Sequence, residues 1–183
     1  RIFCMARAGL TKAHLQAMKH AGVNEVGIGI EALDTRLLLK MNKGTRLIDN
    51  LQMMKHCEEL EITNHSFLIL GFPTERQEDI DRAASAIDYC CAYQPFHEIL
   101  PFTLRPGSPV DVSQDRFGIE GRRAVGLFCL AKHFPDEWRS ELNPQDLGIE
   151  GVDYWFLDFR TSGNKRDYSR FMERIARWRR SYD

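Results

Sequence analysis

The sequence predicts an α/β fold: a partial (β/α) barrel of parallel strands alternating with helices, followed by a helical C-terminal extension. Three observations lead there. Short apolar runs recur through the first half, each followed by a stretch with helical spacing. The runs are apolar at nearly every position, as parallel strands covered on their faces are. After "RPGSPV" the alternation stops. Residues 1–112 are therefore expected to form the barrel piece and 113–183 a mainly helical extension.

The elements follow in order. "RIFCMA" reads as a strand and "TKAHLQAMKHAG" as a helix stopped by Gly22. "EVGIGI" is a strand, and "DTRLLLKMNKG" a short helix closed by Gly44. "TRLIDNLQMMKHCEEL" is a longer helix with Leu47, Leu51, Met54 and Leu60 near one face. "HSFLIL" is a strand, and "ERQEDIDRAASAIDYCCAY" a helix burying Ile80, Ala83, Ala84 and Ile87. "FHEILPFTL" is a fourth strand, interrupted by Pro101. From "FGIEGRRAVGLFCLAKHF" onward two or three helices are expected, with a Pro/Gly-rich, aromatic stretch at 135–163 between them. The last helix is "NKRDYSRFMERIARWRRSY". βαβ spacing of this kind implies right-handed crossovers and a parallel sheet.

Composition narrows the function classes. A chain of 183 residues, 43% hydrophobic and 28% charged, can bury a sizeable core. A net charge of -1 argues against bulk nucleic-acid binding. No apolar run is long enough to span a membrane, and no secretory signal is visible. Five cysteines, Cys4, Cys57, Cys90, Cys91 and Cys129, form no CxxC or CxxxCxxC unit. Their odd count and irregular spacing read as free thiols in a reducing cytoplasm. The six histidines show no metal-ligand spacing. Arg1 opens directly on an apolar stretch, which reads as a piece of a longer protein or as a processed chain.

Ligands of parallel α/β sheets bind beyond the C-terminal ends of the strands. Arg7 follows the first strand, Gly29 and Glu31 end the second, and Gly71, Phe72, Pro73, Thr74 and Glu75 follow the third. Thr103 and Arg105 follow the fourth. Glu31 suits a ribose hydroxyl or an ammonium, or else it caps the next helix or pairs with an arginine. Gly71 permits a close backbone approach or a turn closed to other residues. Phe72 can lie flat against a base, and Pro73 stiffens the bend. Thr74 with Gln77 matches a capping box, which would make Glu75 a first-turn carboxylate. Arg7 can clamp a carboxylate or bridge to Glu31. In the last helix, Arg170, Arg174, Arg177, Arg179 and Arg180 alternate with Phe171, Ile175 and Trp178, an amphipathic pattern suited to docking on the protein's own barrel or on a further domain.

These strand ends, taken in order, resemble the second half of the radical S-adenosylmethionine (radical SAM) catalytic barrel. The matching text runs from "MARAGLTKAHLQAMKHAGVNEVGIGIEALDTRLLLKMNKGT" through "CEELEITNHSFLILGFPTE" to "LRPGSPV" and "FGI". Enzymes with a separate cobalamin-binding domain are the nearest group, among them maturases of ribosomal peptide natural products, which share the order "L..MNKGT", "CEELEI", "GFP.E", "FGI". The resemblance covers about residues 1–120. It implies S-adenosylmethionine (SAM) as cofactor, a [4Fe-4S] cluster on a CxxxCxxC motif, and a 5′-deoxyadenosyl radical as product of SAM reduction. Cobalamin is implied in a separate domain. By this resemblance Glu31 matches a ribose or amino-acid contact, and Ile69, Gly71 and Glu75, spaced IxGxxxE in this sequence, match a motif beside adenine, with Phe67 where the motif's earlier glycine stands. Phe102, Leu104 and Arg105 fall on the next strand, on the adenine or substrate side. Arg7 matches an arginine after an earlier strand.

The chain lacks both CxxxCxxC and a GGE-like motif. The resemblance therefore places the cluster ligands outside it, so that the chain alone is expected to be catalytically silent. Its partners would be the missing N-terminal part of the same protein and a peptide or small-molecule substrate, with homodimerisation through the open sheet edge. No membrane or nucleic-acid partner is expected. Two other readings stay open: a cluster-free α/β enzyme binding a nucleotide at the same rim, and a degenerate barrel that only holds a partner.

Overall fold

The computed structural model describes residues 1–90, 92–94, 96, 98–126, 155–161 and 166–182, with the backbone alone for 120–126, 155–161 and Tyr182. The chain divides into two compact units, one of residues 1–102 and 165–183, the other of residues 103–164. The final helix thus belongs with the beginning of the chain.

In the first unit, four strands lie side by side in chain order: β1 (Ile2–Ala6), β2 (Val23–Glu31), β3 (Thr63–Leu70) and β4 (Glu98–Pro101). All neighbours pair in parallel. Between them run α1 (Lys12–His20), α2 (Thr35–Lys40), α3 (Leu47–Glu59) and α4 (Gln77–Cys90). This is the α/β architecture expected, consistent with part of a radical SAM barrel, and it carries the expected C-terminal helix, α6 (Ser169–Tyr182). Pro101 ends β4 early, because proline donates no ladder hydrogen bond.

The sheet has one covered face. Val26, Ile28 and Ile30 of β2 and Leu68 and Leu70 of β3 alternate onto it and are buried. Leu15, Met53, Met54, Ile80, Ala84 and Ile87 are buried helix side chains that complete this core. Each fully buried aliphatic side chain contributes about 1.5–3 kcal/mol. The other face carries Phe3 and Met5, which are 51% and 66% exposed. Gly27, beside Met5 in register, makes room there: a Cβ would stand 2.4 Å from the Met5 sulfur.

Helix ends are set by side chains. Asp34 accepts the Leu37 N–H at 2.9 Å and starts α2. Thr11 and His14 form a reciprocal capping box on α1. Two expectations change here. The expected Thr74–Gln77 box does not form. Helix α4 begins at Gln77, and Asp79 accepts the Arg76 N–H at 2.8 Å in place of Thr74, whose own hydroxyl is buried without a partner. In α3 the buried residues are Asn50, Met53, Met54 and Cys57, so the inward face is turned from that expected at Leu47, Leu51 and Leu60. Asn50 is wholly buried because its amide donates to the Ile30 carbonyl at 3.0 Å. A polar side chain with a backbone partner can occupy a core position that an apolar pattern does not mark.

Behind the rim, Asp34, Arg36, Asp79 and Arg82 tie α2 to α4. Arg82 donates to Asp34 at 2.7 Å, Arg36 donates to Asp79 at 2.8 Å, and Arg82 also bonds Asp79. Burial opposes ionisation of Asp79, yet Arg36, the Arg76 N–H and Arg82 outweigh it and hold the carboxyl below its ordinary value.

Helix α6 docks on its own unit. Phe171, Ile175 and Trp178 are buried, and the Trp178 indole meets Phe96 edge-on at 4.9 Å while donating to the Tyr93 carbonyl at 2.9 Å. Arg174 pairs with Asp88 of α4. Much of the arginine pattern is therefore the outer side of a helix seated on α4.

The second unit opens with a short helix, α5 (Pro109–Val112), capped by Ser108, and a 3-10 turn at Gln114–Phe117. Strands β5 (Ile119–Gly126) and β6 (Trp155–Thr161) then pair antiparallel. Within the expected extension, the start of "FGIEGRRAVGLFCLAKHF" is a strand where a helix was expected, and part of the 135–163 stretch is a strand too. Pairing with a partner strand 29 to 42 residues away outweighs a locally ambiguous apolar run. Residues 127–134 of the expected helix lie outside the described residues, as do Cys91, His97 and Cys129.

Candidate functional site

Glu31 ends β2 in a conformation rare for its type. Its φ is +66°, and Ile30 accepts the Ala32 N–H at 2.8 Å directly across it. That three-residue turn is strained for a residue with a side chain. The pairing with β3 slips at the same point, between Gly29 and Glu31. Asn50 supports the turn from below through the Ile30 carbonyl. The carboxylate folds back over Gly29, where a Cβ would lie 2.4 Å from its Oε1. Gly29 is thus a floor on which Glu31 rests.

The partner of Glu31 is Lys43, whose ammonium lies 2.8 Å from Oε1. The expected bridge from Arg7 is not the one made. Arg7 instead donates to the Lys43 carbonyl at 2.6 Å, so Lys43 stands between them. The loop that delivers it contains Asn42 at φ +55° and Gly44 at φ +69°. A Cβ at Gly44 would come within 2.7 Å of the Arg7 guanidinium. Lys43 sits inside the "MNKGT" stretch, a visible sequence signal whose role the sequence did not reveal.

Beyond β3, Gly71 takes φ +83° and Glu75 turns back to accept its N–H at 2.8 Å. Tyr168 donates its hydroxyl to the same carboxylate oxygen at 2.5 Å. Glu75 is therefore the brace of the turn, not a first-turn carboxylate of α4. Burial raises its pKa above the ordinary value, against the pull of the Tyr168 and Gly71 donors, and burial beside Glu75 raises the Tyr168 phenol as well. Arg166 donates to the carbonyls of Glu75 and Pro73 at 2.9 and 3.1 Å. Phe72 and Pro73 are buried, and the Phe72 ring meets Phe102 edge-on at 5.1 Å. Phe102 also donates its N–H to the Leu70 carbonyl at 2.7 Å, tying the ends of β3 and β4.

Glu31 and Gly71 thus end adjacent strands on one rim. Glu31 pairs with Leu68, and Gly71 lies three residues further along β3. Ile69 is half-buried. Leu104, buried, and Arg105, exposed, belong to the second unit, where the Arg105 carbonyl accepts the Ser108 N–H at 3.1 Å. A cleft of about 550 Å³ opens beside Arg7 at the end of β1, lined also by Lys12, Gly44, Thr45, Asp49 and His56.

Residues 1–87 match the family model of the Radical SAM superfamily. The match covers β1 to β3 and most of α4, the part that carries Glu31 and the Gly71 turn. It supports radical SAM-type chemistry in general, which in that superfamily uses SAM and a [4Fe-4S] cluster. No curated protein matches the chain.

Among the described residues no three His, Cys, Asp or Glu side chains group to hold a metal. Cys57 and Cys90 are fully buried, and burial pushes the Cys57 thiol up to about 12. The described residues therefore do not fit a cluster. At the rim, among the described residues, the Tyr168 hydroxyl lies 4.0 Å from the place of a Gly71 Cβ, and the Glu31 carboxylate pairs with Lys43. Among the described residues no helix is long and apolar enough to cross a membrane.

Proposed function

We propose that this chain supplies the SAM-binding wall of a radical SAM catalytic domain. The observation that carries the reading is the pairing of two devices on adjacent strand ends: a carboxylate held in a strained turn at Glu31, and an open glycine at Gly71 braced by Glu75. Glu31 would accept hydrogen bonds from ribose hydroxyls or the methionine ammonium, with Lys43 fixing its orientation. Gly71 would let the adenine lie against the backbone, with Phe72 and Phe102 stiffening the bend from behind. When bound and reduced, SAM supplies a carbon-centred radical for modification of a substrate. The cluster would be held by cysteines that are not among the described residues.

The finer assignment is a cobalamin-dependent modification of a peptide or small-molecule substrate, supported by the ordered set "MNKGT", "CEELEI", "GFP.E" and "FGI". A second reading, a cluster-free enzyme that binds an anionic ligand, is favoured by the cleft that gathers Arg7, Lys12 and His56. One experiment separates them. The full-length protein is reconstituted anaerobically with iron and sulfide, reduced, and assayed for 5′-deoxyadenosine and for cobalamin content. Deoxyadenosine formation lost in Glu31→Gln supports the main reading. A cluster-loaded protein that makes none overturns it.

A further inference from the structure

The Gly71 turn is not built by its own neighbourhood. Its carboxylate brace shares an oxygen with Tyr168, 93 residues later in the chain. Its carbonyls at Pro73 and Glu75 are both taken by Arg166. Just beyond the turn, Gln77 and the Asp167 backbone exchange two hydrogen bonds, of 3.0 and 2.9 Å. Five contacts from three consecutive residues converge on a stretch of seven. Such density is more than is needed to seat α6, whose burial rests on Phe171, Ile175 and Trp178.

The chemistry of the contacts is directional. A buried carboxylate that accepts one backbone N–H can rotate about its side-chain torsions. A second donor on the same oxygen removes that freedom. The phenol, itself kept protonated by burial and by Glu75, is a fixed donor. Its hydroxyl is also the atom nearest the vacant Cβ position of Gly71. The strap therefore stands at the edge of the space a ligand would enter.

We propose that Arg166 and Tyr168 are positioning residues for the nucleoside-binding turn, so that a segment from the end of the chain sets the affinity for SAM. This rests on the reading of the rim as a SAM site. Both residues act through Glu75 and the Pro73–Glu75 carbonyls. Arg166 fixes the path of the turn, and Tyr168 fixes the rotamer of the brace.

The test uses the cluster-loaded full-length protein, with SAM affinity read by equilibrium dialysis and Gly71 amide exchange read without SAM. Tyr168→Phe removes one charge-assisted hydrogen bond and should weaken SAM binding about tenfold and speed Gly71 exchange by a similar factor. Turnover at saturating SAM should stay within about twofold. Arg166→Lys, which keeps the charge but loses the fork, should act in the same direction and serves if Tyr168→Phe folds poorly. In a Glu75→Ala background Tyr168→Phe should add less than about twofold, a coupling that general destabilisation would not produce. The inference is overturned if both strap variants leave SAM affinity and Gly71 exchange unchanged while Glu31→Gln or Gly71→Val weakens SAM. If those two rim variants also bind SAM normally, the site reading itself fails, and the inference falls with it.

Discussion

Removing the Trp178 side chain tests whether α6 belongs to the fold of the first unit. Trp178 is 2% exposed, touches Phe96 edge-on and donates to the Tyr93 carbonyl. A buried Trp hides roughly 150–250 Å². At about 25 cal/mol per Å², that area is worth about 4–6 kcal/mol as an upper bound. Relaxation of α4 and α6 into the space recovers part, so Trp178→Ala should cost about 3–5 kcal/mol. Trp178→Phe keeps a ring against Phe96 but leaves the Tyr93 carbonyl without its donor, a loss of about 2 kcal/mol. Urea unfolding followed by circular dichroism gives the two values. Limited trypsin digestion gives a local readout, because Arg174, Arg177, Arg179 and Arg180 line the helix. Trp178→Ala should be cut there first. If Trp178→Ala loses less than about 1 kcal/mol and its trypsin pattern matches wild type, the argument that this side chain seats the helix is wrong.

Three further outcomes follow from charges and glycines. Asp79→Asn removes the charge and one of the two acceptor oxygens shared by Arg36, Arg82 and the Arg76 N–H and should cost about 2–4 kcal/mol in urea melts, less than a fully buried pair because both arginines reach solvent. Since the folded Asp79 pKa lies below 3.8, its stabilisation is present above that value and lost as pH falls through the folded pKa, so the variant should show a flatter acid limb. Glu75 has the opposite sign. Its folded pKa lies above 4.5, so ionisation costs stability as pH rises through the interval above 4.5, and Glu75→Gln should remove that decline in a pH series of thermal midpoints. Gly29→Ala places a methyl where the Glu31 carboxylate rests; the flexible side chain can swing away, so stability should fall by less than about 1 kcal/mol while SAM affinity in the full-length protein drops. Equal losses of both would count against Glu31 as a ligand group.

The strands and most helices could be read from the chain because local pattern and tertiary role agree. Val26, Ile28 and Ile30 of β2 and Leu68 and Leu70 of β3 are buried within their apolar runs, and Ile80, Ala83, Ala84 and Ile87 form the inner stripe of α4 as their spacing requires. What was misread involves partners distant in sequence. Thr74 looks like a cap by local rule, but Asp79 takes the role because two arginines hold it in place. Asn50, which no apolar pattern marks as core, is buried where it donates to the Ile30 carbonyl. Residues 119–126 become a strand only through pairing with 155–161. At the rim, Glu31 and Gly71 were visible as strand-end residues, whereas Lys43 and Tyr168 could not be assigned. Each acquires its role from a group 12 or 93 residues away.

The separation of Glu75 from Tyr168 has a consequence for biosynthesis. The first unit is interrupted by the second, and residues 165–183 leave the ribosome only after it. A gap of 93 residues takes roughly 5–20 s to translate. During that interval the nascent turn holds Gly71 with Glu75 alone, and α4 offers its apolar flank to chaperones. A stop codon between β6 and Arg166 would yield a chain that keeps its four parallel strands and lacks every residue of the latch.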